Sequence, residues 1–109
     1  MYLGATILAD KITAYINHVN ENGARPFDDH IDEVRISLTE RQFGVIAHDF
    51  KVACTIVIGS GIHYDNFNFE NYRFRVHYND RMNKYELRGR TENFITDIDS
   101  QIDYFERKY

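Results

Sequence analysis

A chain of 109 residues is long enough for one domain, residues 1–109, with a core that needs no metal or disulfide to hold it. Hydrophobic residues at 43% and aromatic residues at 15% exclude disorder as the default state, and a single cysteine, Cys54, excludes an internal disulfide and points to a reducing compartment. The net charge of -4 is unevenly spread: residues 1–71 carry five basic and ten acidic side chains, residues 72–90 six and two, and residues 91–109 two and five. An acidic chain argues against a general nucleic-acid binder, whose affinity rests largely on neutralising phosphates with Lys and Arg.

From Met1 to Ala9 the residues are mostly apolar, but no cationic stretch precedes them and Asp10 and Lys11 end the run. Neither a signal peptide nor a membrane span is expected, and the expected setting is soluble and cytoplasmic. Leu3, Ile7, Leu8, Ile12, Tyr15, Ile16 and Val19 recur at helical spacing, which predicts a first helix from near Tyr2 to about Glu21, closed by Asn22-Gly23. That stripe would serve an intramolecular core or a homodimer equally well. Residues 24–32 hold the only proline, Pro26, and most of the acidic run Asp28, Asp29, Asp32 and Glu33, and read as a surface loop.

Glu33 to Leu38 alternates apolar and polar residues, as a half-buried strand does. Thr39-Glu40-Arg41-Gln42 matches the capping box, with Leu38 and Phe43 as its hydrophobic staple, so a second helix is expected to start at Glu40 and to bury Phe43, Ile46, Ala47 and Phe50. Thr55 to Ile58 is β-branched and reads as a buried strand, with extension of the preceding helix through Cys54 as the rival reading. Gly59-Ser60-Gly61 then forms a turn, or a bulge if the strand continues through Tyr64. Asp65 to Asn71 is a turn-rich stretch carrying Phe67 and Phe69, which either plug the edge of the core or stay exposed as binding anchors. Thr91 is expected to cap a last helix with Phe94, Ile95, Ile98, Ile102 and Phe105 on its buried stripe.

The most informative stretch is Tyr72 to Arg90. Tyr72, Phe74, Val76 and Tyr78 alternate with Arg73, Arg75, His77 and Asn79, and Tyr85 and Leu87 alternate with Glu86, Arg88 and Arg90. Matching the apolar positions sets a hairpin register of Tyr78 opposite Tyr85 and Val76 opposite Leu87, with Asp80 to Asn83 as the loop. Arg75 then faces Arg88 and Arg73 faces Arg90, an unfavourable arrangement across a ladder. The expected fold is α+β in the order α-β-α-β-β-β-α: an antiparallel meander over about residues 55–90 plus a short N-terminal strand, with three helices on the apolar face.

No catalytic constellation is present in the sequence. His30 among Asp28, Asp29 and Asp32, and His63 with Asp65, lack the spacing of zinc or calcium sites, and no metal or cofactor is expected. Cys54 in its apolar run reads as a small core residue rather than a nucleophile paired with His48. A small enzyme using His63, Asp65 and His77 lacks any group to orient them. The acidic runs read as a solvated loop and a solvated helix face rather than a DNA mimic. What remains is the basic face. Guanidinium groups suit phosphates and carboxylates, and arginine is enriched among interface anchors. The segment YRFRVHY resembles the alternating aromatic strand of RNA-recognition modules, although its aromatics face the expected core. In general character the short, motif-free chain is similar to small bacteriophage accessory proteins, including inhibitors of host defence enzymes. The expected function is a non-enzymatic interaction protein of that kind, binding an acidic surface of a partner protein through Arg73, Arg75, His77, Arg88 and Arg90, with Phe67 and Phe69 as further anchors. The alternative is a single-stranded nucleic-acid or nucleotide binder using the same face. Internal neutralisation by the chain's own carboxylates competes with both.

Overall fold

The alternation of the hairpin is built into one four-stranded antiparallel sheet, in the spatial order β1-β6-β5-β4, which a computed structural model of residues 3–22, 33–91 and 98–109 describes. In chain order the elements are α1 (Leu3–Asn22), β1 (Glu33–Thr39), α2 (Glu40–Phe50), β2 (Cys54–Val57), β3 (Gly61–Tyr64), β4 (Phe67–Phe69), β5 (Tyr72–Asn79), β6 (Lys84–Thr91) and α3 (Ile98–Lys108). The α+β class and the placing of the helices around the strand region follow the sequence reading. The hairpin register does too: Tyr78 pairs with Tyr85, Val76 with Leu87, Arg75 with Arg88 and Arg73 with Arg90. Its loop is Asp80 to Asn83, with Asn83 in the left-handed region that asparagine tolerates.

The β1–β6 and β4–β5 ladders extend this register across the sheet, so one set of rows faces the core. The rows are Val34–Gly89–Phe74–Phe67, Ile36–Leu87–Val76 and Leu38–Tyr85–Tyr78, with Phe69 beside Tyr72. Gly89 is required in the first of these. A Cβ there would overlap the Phe74 ring, and Phe74 is fully buried with no room to move. Leu8, Ile12 and Ile16 of α1, Phe43 and Ile46 of α2 and Phe105 of α3 close the core from the other side. Each such side chain contributes about 1.5–3 kcal/mol by leaving water. The α1 stripe is therefore spent on the intramolecular core, although Leu3 at its start is exposed.

Local signals set the ends of α2. The Thr39 hydroxyl accepts from the Gln42 N–H at 3.1 Å and Gln42 Oε1 accepts from the Thr39 N–H at 3.0 Å, the expected capping box. At the other end Lys51 adopts left-handed geometry, φ 53°, and the Val52 N–H reaches back to the Ala47 carbonyl at 2.9 Å. This closing turn ends the helix at Phe50, four residues before Cys54, and redirects the chain. Gly4 lets α1 approach α2 closely, and its N–H donates to Asp49 Oδ2 at 2.7 Å, so a carboxylate meets the positive end of α1. At the C-terminal side, α3 is clasped to the β4–β5 turn. Glu70 accepts from Lys108 Nζ at 2.8 Å, Tyr104 Oη at 3.0 Å and Tyr109 Oη at 2.5 Å. Partial burial alone would raise the Glu70 pKa, but the bonds from Lys108, Tyr109 and Tyr104 and the lysine charge outweigh it and hold it below the ordinary value.

Several expectations are corrected. The region 55–90 contributes five strands rather than three, because β2 and β3 form a separate two-stranded sheet and Phe67–Phe69 adds β4 to the larger one. Thr55, Ile56, Val57 and Ile58 are exposed, not buried, and Cys54 is exposed rather than a core residue. The physical reason is that the turn at Lys51 carries the chain away after α2, and β3 returns to the body only at Tyr64. That ring packs edge-on against Phe43 at 5.0 Å between centroids. Gly59 and Gly61 both have positive φ, so Gly59-Ser60-Gly61 belongs to a tight turn. Thr91 is the last residue of β6, opposite Tyr72, and the residues it is expected to cap, 92–97, lie outside the described residues. Phe67 and Phe69 are core residues, so neither is an exposed anchor. Pro26, Asp28, Asp29, His30, Asp32, Phe94, Ile95 and Asp97 lie outside the described residues.

Two glycines give opposite expectations. Gly89→Ala is expected to lower stability by about 1–3 kcal/mol through overpacking against Phe74. Gly44→Ala, on the exposed face of α2 with nothing within 4 Å of its added Cβ, is expected to raise stability by about 1 kcal/mol. Urea unfolding of both variants checks the pair. The Glu70 clasp predicts a pH effect. A carboxyl whose folded pKa is depressed adds stability that is present above its unfolded pKa and lost as pH falls through the folded one. Protection of α3 from proteolysis should therefore decline as pH drops below about 4.5, the unfolded value, and Glu70→Gln should remove that pH dependence.

Candidate binding face

The strands that bury one face of the sheet present the other to solvent, and side-chain alternation puts almost all of its charge there. Four rows cross it: Glu33–Arg90–Arg73–Asn68, Arg35–Arg88–Arg75, Ser37–Glu86–His77 and Thr39–Lys84–Asn79. Among the described residues this face holds six lysine or arginine side chains against two carboxylates, and no helix covers it. Arg73, Arg75, His77 and Arg90 are exposed and Arg88 is half-buried, so the structure brings together all five of the polar residues singled out from the sequence.

The middle row is the electrostatic centre. Arg35, Arg88 and Arg75 stand side by side on three adjacent strands, an arrangement that like charges oppose. Two carboxylates on the same face relieve part of it: Glu86 Oε1 lies 2.6 Å from Arg88 Nε, and Glu33 Oε1 lies 3.3 Å from Arg35 Nε. Both pairs link residues two apart on one strand, and exposed pairs of this kind contribute about 0–1 kcal/mol. Arg73 and Arg90 also have interaction partners. No carboxylate of the described residues pairs with Arg75, which sits in the three-arginine row. Among the described residues, Arg35 and Arg88 are held by glutamates, and six basic side chains share the face with two carboxylates.

Among the described residues the face contains no Phe or Tyr. All the aromatic residues of β4, β5 and β6 belong to the rows on the other side. Among the described residues His77 is the only ring on it, and it is opposite Glu86. A base-stacking platform needs aromatic or comparable planar groups presented outward, so the surface suits anionic groups recognised by guanidinium donors better than it suits bases.

Arg35 and Lys84 join the face without having been singled out. The alternation of EVRISL signals that Arg35 points away from Val34 and Ile36, but only the long-range pairing of β1 with β6 sets it beside Arg88. The remaining candidates do not converge. His63 is on the β2–β3 ribbon and His77 on the open face of the larger sheet, and the recorded contact of His48 is with Asp49 at 3.4 Å. Among the described residues no group of three His, Cys, Asp or Glu side chains is arranged to hold a metal ion. Asp103 and Glu106 are exposed on α3, as a solvated helix face requires.

A separate cleft of about 440 Å³ lies beside the α3 clasp, with Ala5, Phe50 and Phe69 as apolar lining and Asn68, Glu70 and Lys108 among its polar residues. The Glu70 carboxylate there already accepts three hydrogen bonds, which makes it a fastening for α3 rather than a free acid or base. No described helix is long and apolar enough to cross a membrane. No protein-family model matches the chain, and neither the curated proteins nor the solved structures contain a significant match to it.

Proposed function

We propose that this chain is a non-enzymatic interaction protein that lays the open face of its four-stranded sheet against an acidic surface of a partner protein. The observation that carries the reading is the row Arg35–Arg88–Arg75 on an uncovered sheet face, where three guanidinium groups are adjacent and Arg75 has no carboxylate partner among the described residues. Carboxylates from a partner would relieve the repulsion within that row, and planar guanidinium groups recognise carboxylates through paired donors. A small accessory protein that inhibits a larger enzyme by covering an acidic patch fits this size and surface.

Among the described residues no Phe or Tyr points outward from the face, which favours a protein partner over single-stranded nucleic acid, since the latter would gain from stacking as well as charge. Affinity capture from the native host is expected to recover one acidic protein with the wild-type chain. Recovery should decrease as salt rises and disappear with the double substitution Arg75→Glu, Arg88→Glu, whose fold is checked by circular dichroism. Undiminished recovery with that variant would place the interface elsewhere. In low salt the wild type is expected to give no gel shift with a single-stranded oligonucleotide; a shift abolished by Arg75→Glu would replace the protein partner with nucleic acid.

A further inference from the structure

The β2–β3 ribbon has the surface of an interface rather than of a solvated hairpin. Ile56 is 76% exposed, Val57 42%, Ile58 100% and Ile62 46%, and no Asp, Glu, Lys or Arg occurs between Val52 and Tyr64. Native sheets protect open edges with charges, prolines, bulges or short strands, and of these the ribbon has only its short strands. Its strands are four residues each, and a two-stranded ribbon of that length is marginal by itself. Tyr64 ties it to the body through Phe43 and through a 3.3 Å contact between its hydroxyl and that of Tyr85.

We propose that two copies of this chain associate through the ribbon, β2 pairing antiparallel with β2 of the second copy about a two-fold axis. β3 lies on the side of β5, which leaves β2 as the free edge among the described residues. A strand related to itself by a two-fold axis is antiparallel to its mate, so the same residues supply both halves of the contact. Ile56 and Ile62 are cross-strand partners. Pairing centred on Ile56 sets Ile62, Ile56 and their two symmetry mates in one apolar row and turns two marginal ribbons into one four-stranded sheet.

The free edge itself fits a second copy, because about a two-fold axis the unpaired backbone groups of β2 meet those of its mate. The ribbon carries no charged residue, so two copies meet there without repulsion, whereas the cationic sheet face repels its own copy. A partner recognised by charge would find nothing to read on the ribbon. The contact is smaller than the roughly 800 Å² per partner of a stable complex, so the dimer should dissociate on dilution. This inference is independent of what the arginine face binds.

Sedimentation velocity over about 1–500 µM tests it. The wild-type chain is expected to shift from monomer to dimer across that range. The double variant Ile56→Lys, Ile62→Lys is expected to stay monomeric, with an unchanged far-ultraviolet circular dichroism spectrum. The single variant Ile58→Lys, at a fully exposed position where the fold has nothing to lose, is expected to weaken association at least tenfold. A wild type that remains monomeric at the highest concentration, or a dimer that persists undiminished in both variants, would overturn the proposal.

Discussion

The contact on which the structure depends is the Phe74 ring lying across Gly89. In the row Val34–Gly89–Phe74–Phe67 the glycine is the one position without a side chain, and the neighbouring aromatic takes that space. Phe74 also packs on Tyr72 and Phe67, with ring centroids 5.9 and 5.5 Å apart, so the ring joins β4, β5 and β6 on the core side. A slip of one residue between β5 and β6 would remove that fit and would turn the arginines of one of the two strands toward the core. Core packing and the cationic face are therefore two consequences of a single register.

The helices complete this one-sided design. α1, α2 and α3 supply the second layer of the core, and two polar fastenings hold them: Asp49 on the first turn of α1 and Glu70 on the last turn of α3. Burying the rows of one face leaves the backbone of the sheet satisfied and its other face free of packing demands. Such a face tolerates a concentration of like charge that a core could not, because water screens it and the hydrophobic layer beneath supplies the stability.

Among the described residues, the compensation of Arg35 and Arg88 on the open face is local. Glu86 and Glu33 hold Arg88 and Arg35 along their own strands, which fixes the guanidinium groups more than it neutralises the surface. The uncharged ribbon is the opposite kind of surface, apolar where the sheet is cationic. The molecule thus separates two chemistries, one suited to carboxylates and one suited to apolar edge pairing, onto different sheets.

The hairpin register, the start of α2 at Glu40 and the α+β class were legible in the residues themselves, because alternation, loop residues and the capping box act between near neighbours in the chain. The basic character of one hairpin face was legible for the same reason. What only the tertiary structure decided was which surfaces meet. β1 lies beside β6 and brings Arg35 into the arginine row, a pairing that no local pattern encodes. Phe67 and Phe69 are interior because β4 pairs with β5 beneath α2 and α3, whose Phe50 and Phe105 stack near them. The β-branched run at Thr55 to Ile58 reads as core by composition yet stands in solvent, because burial depends on what packs over a strand and not on the strand alone.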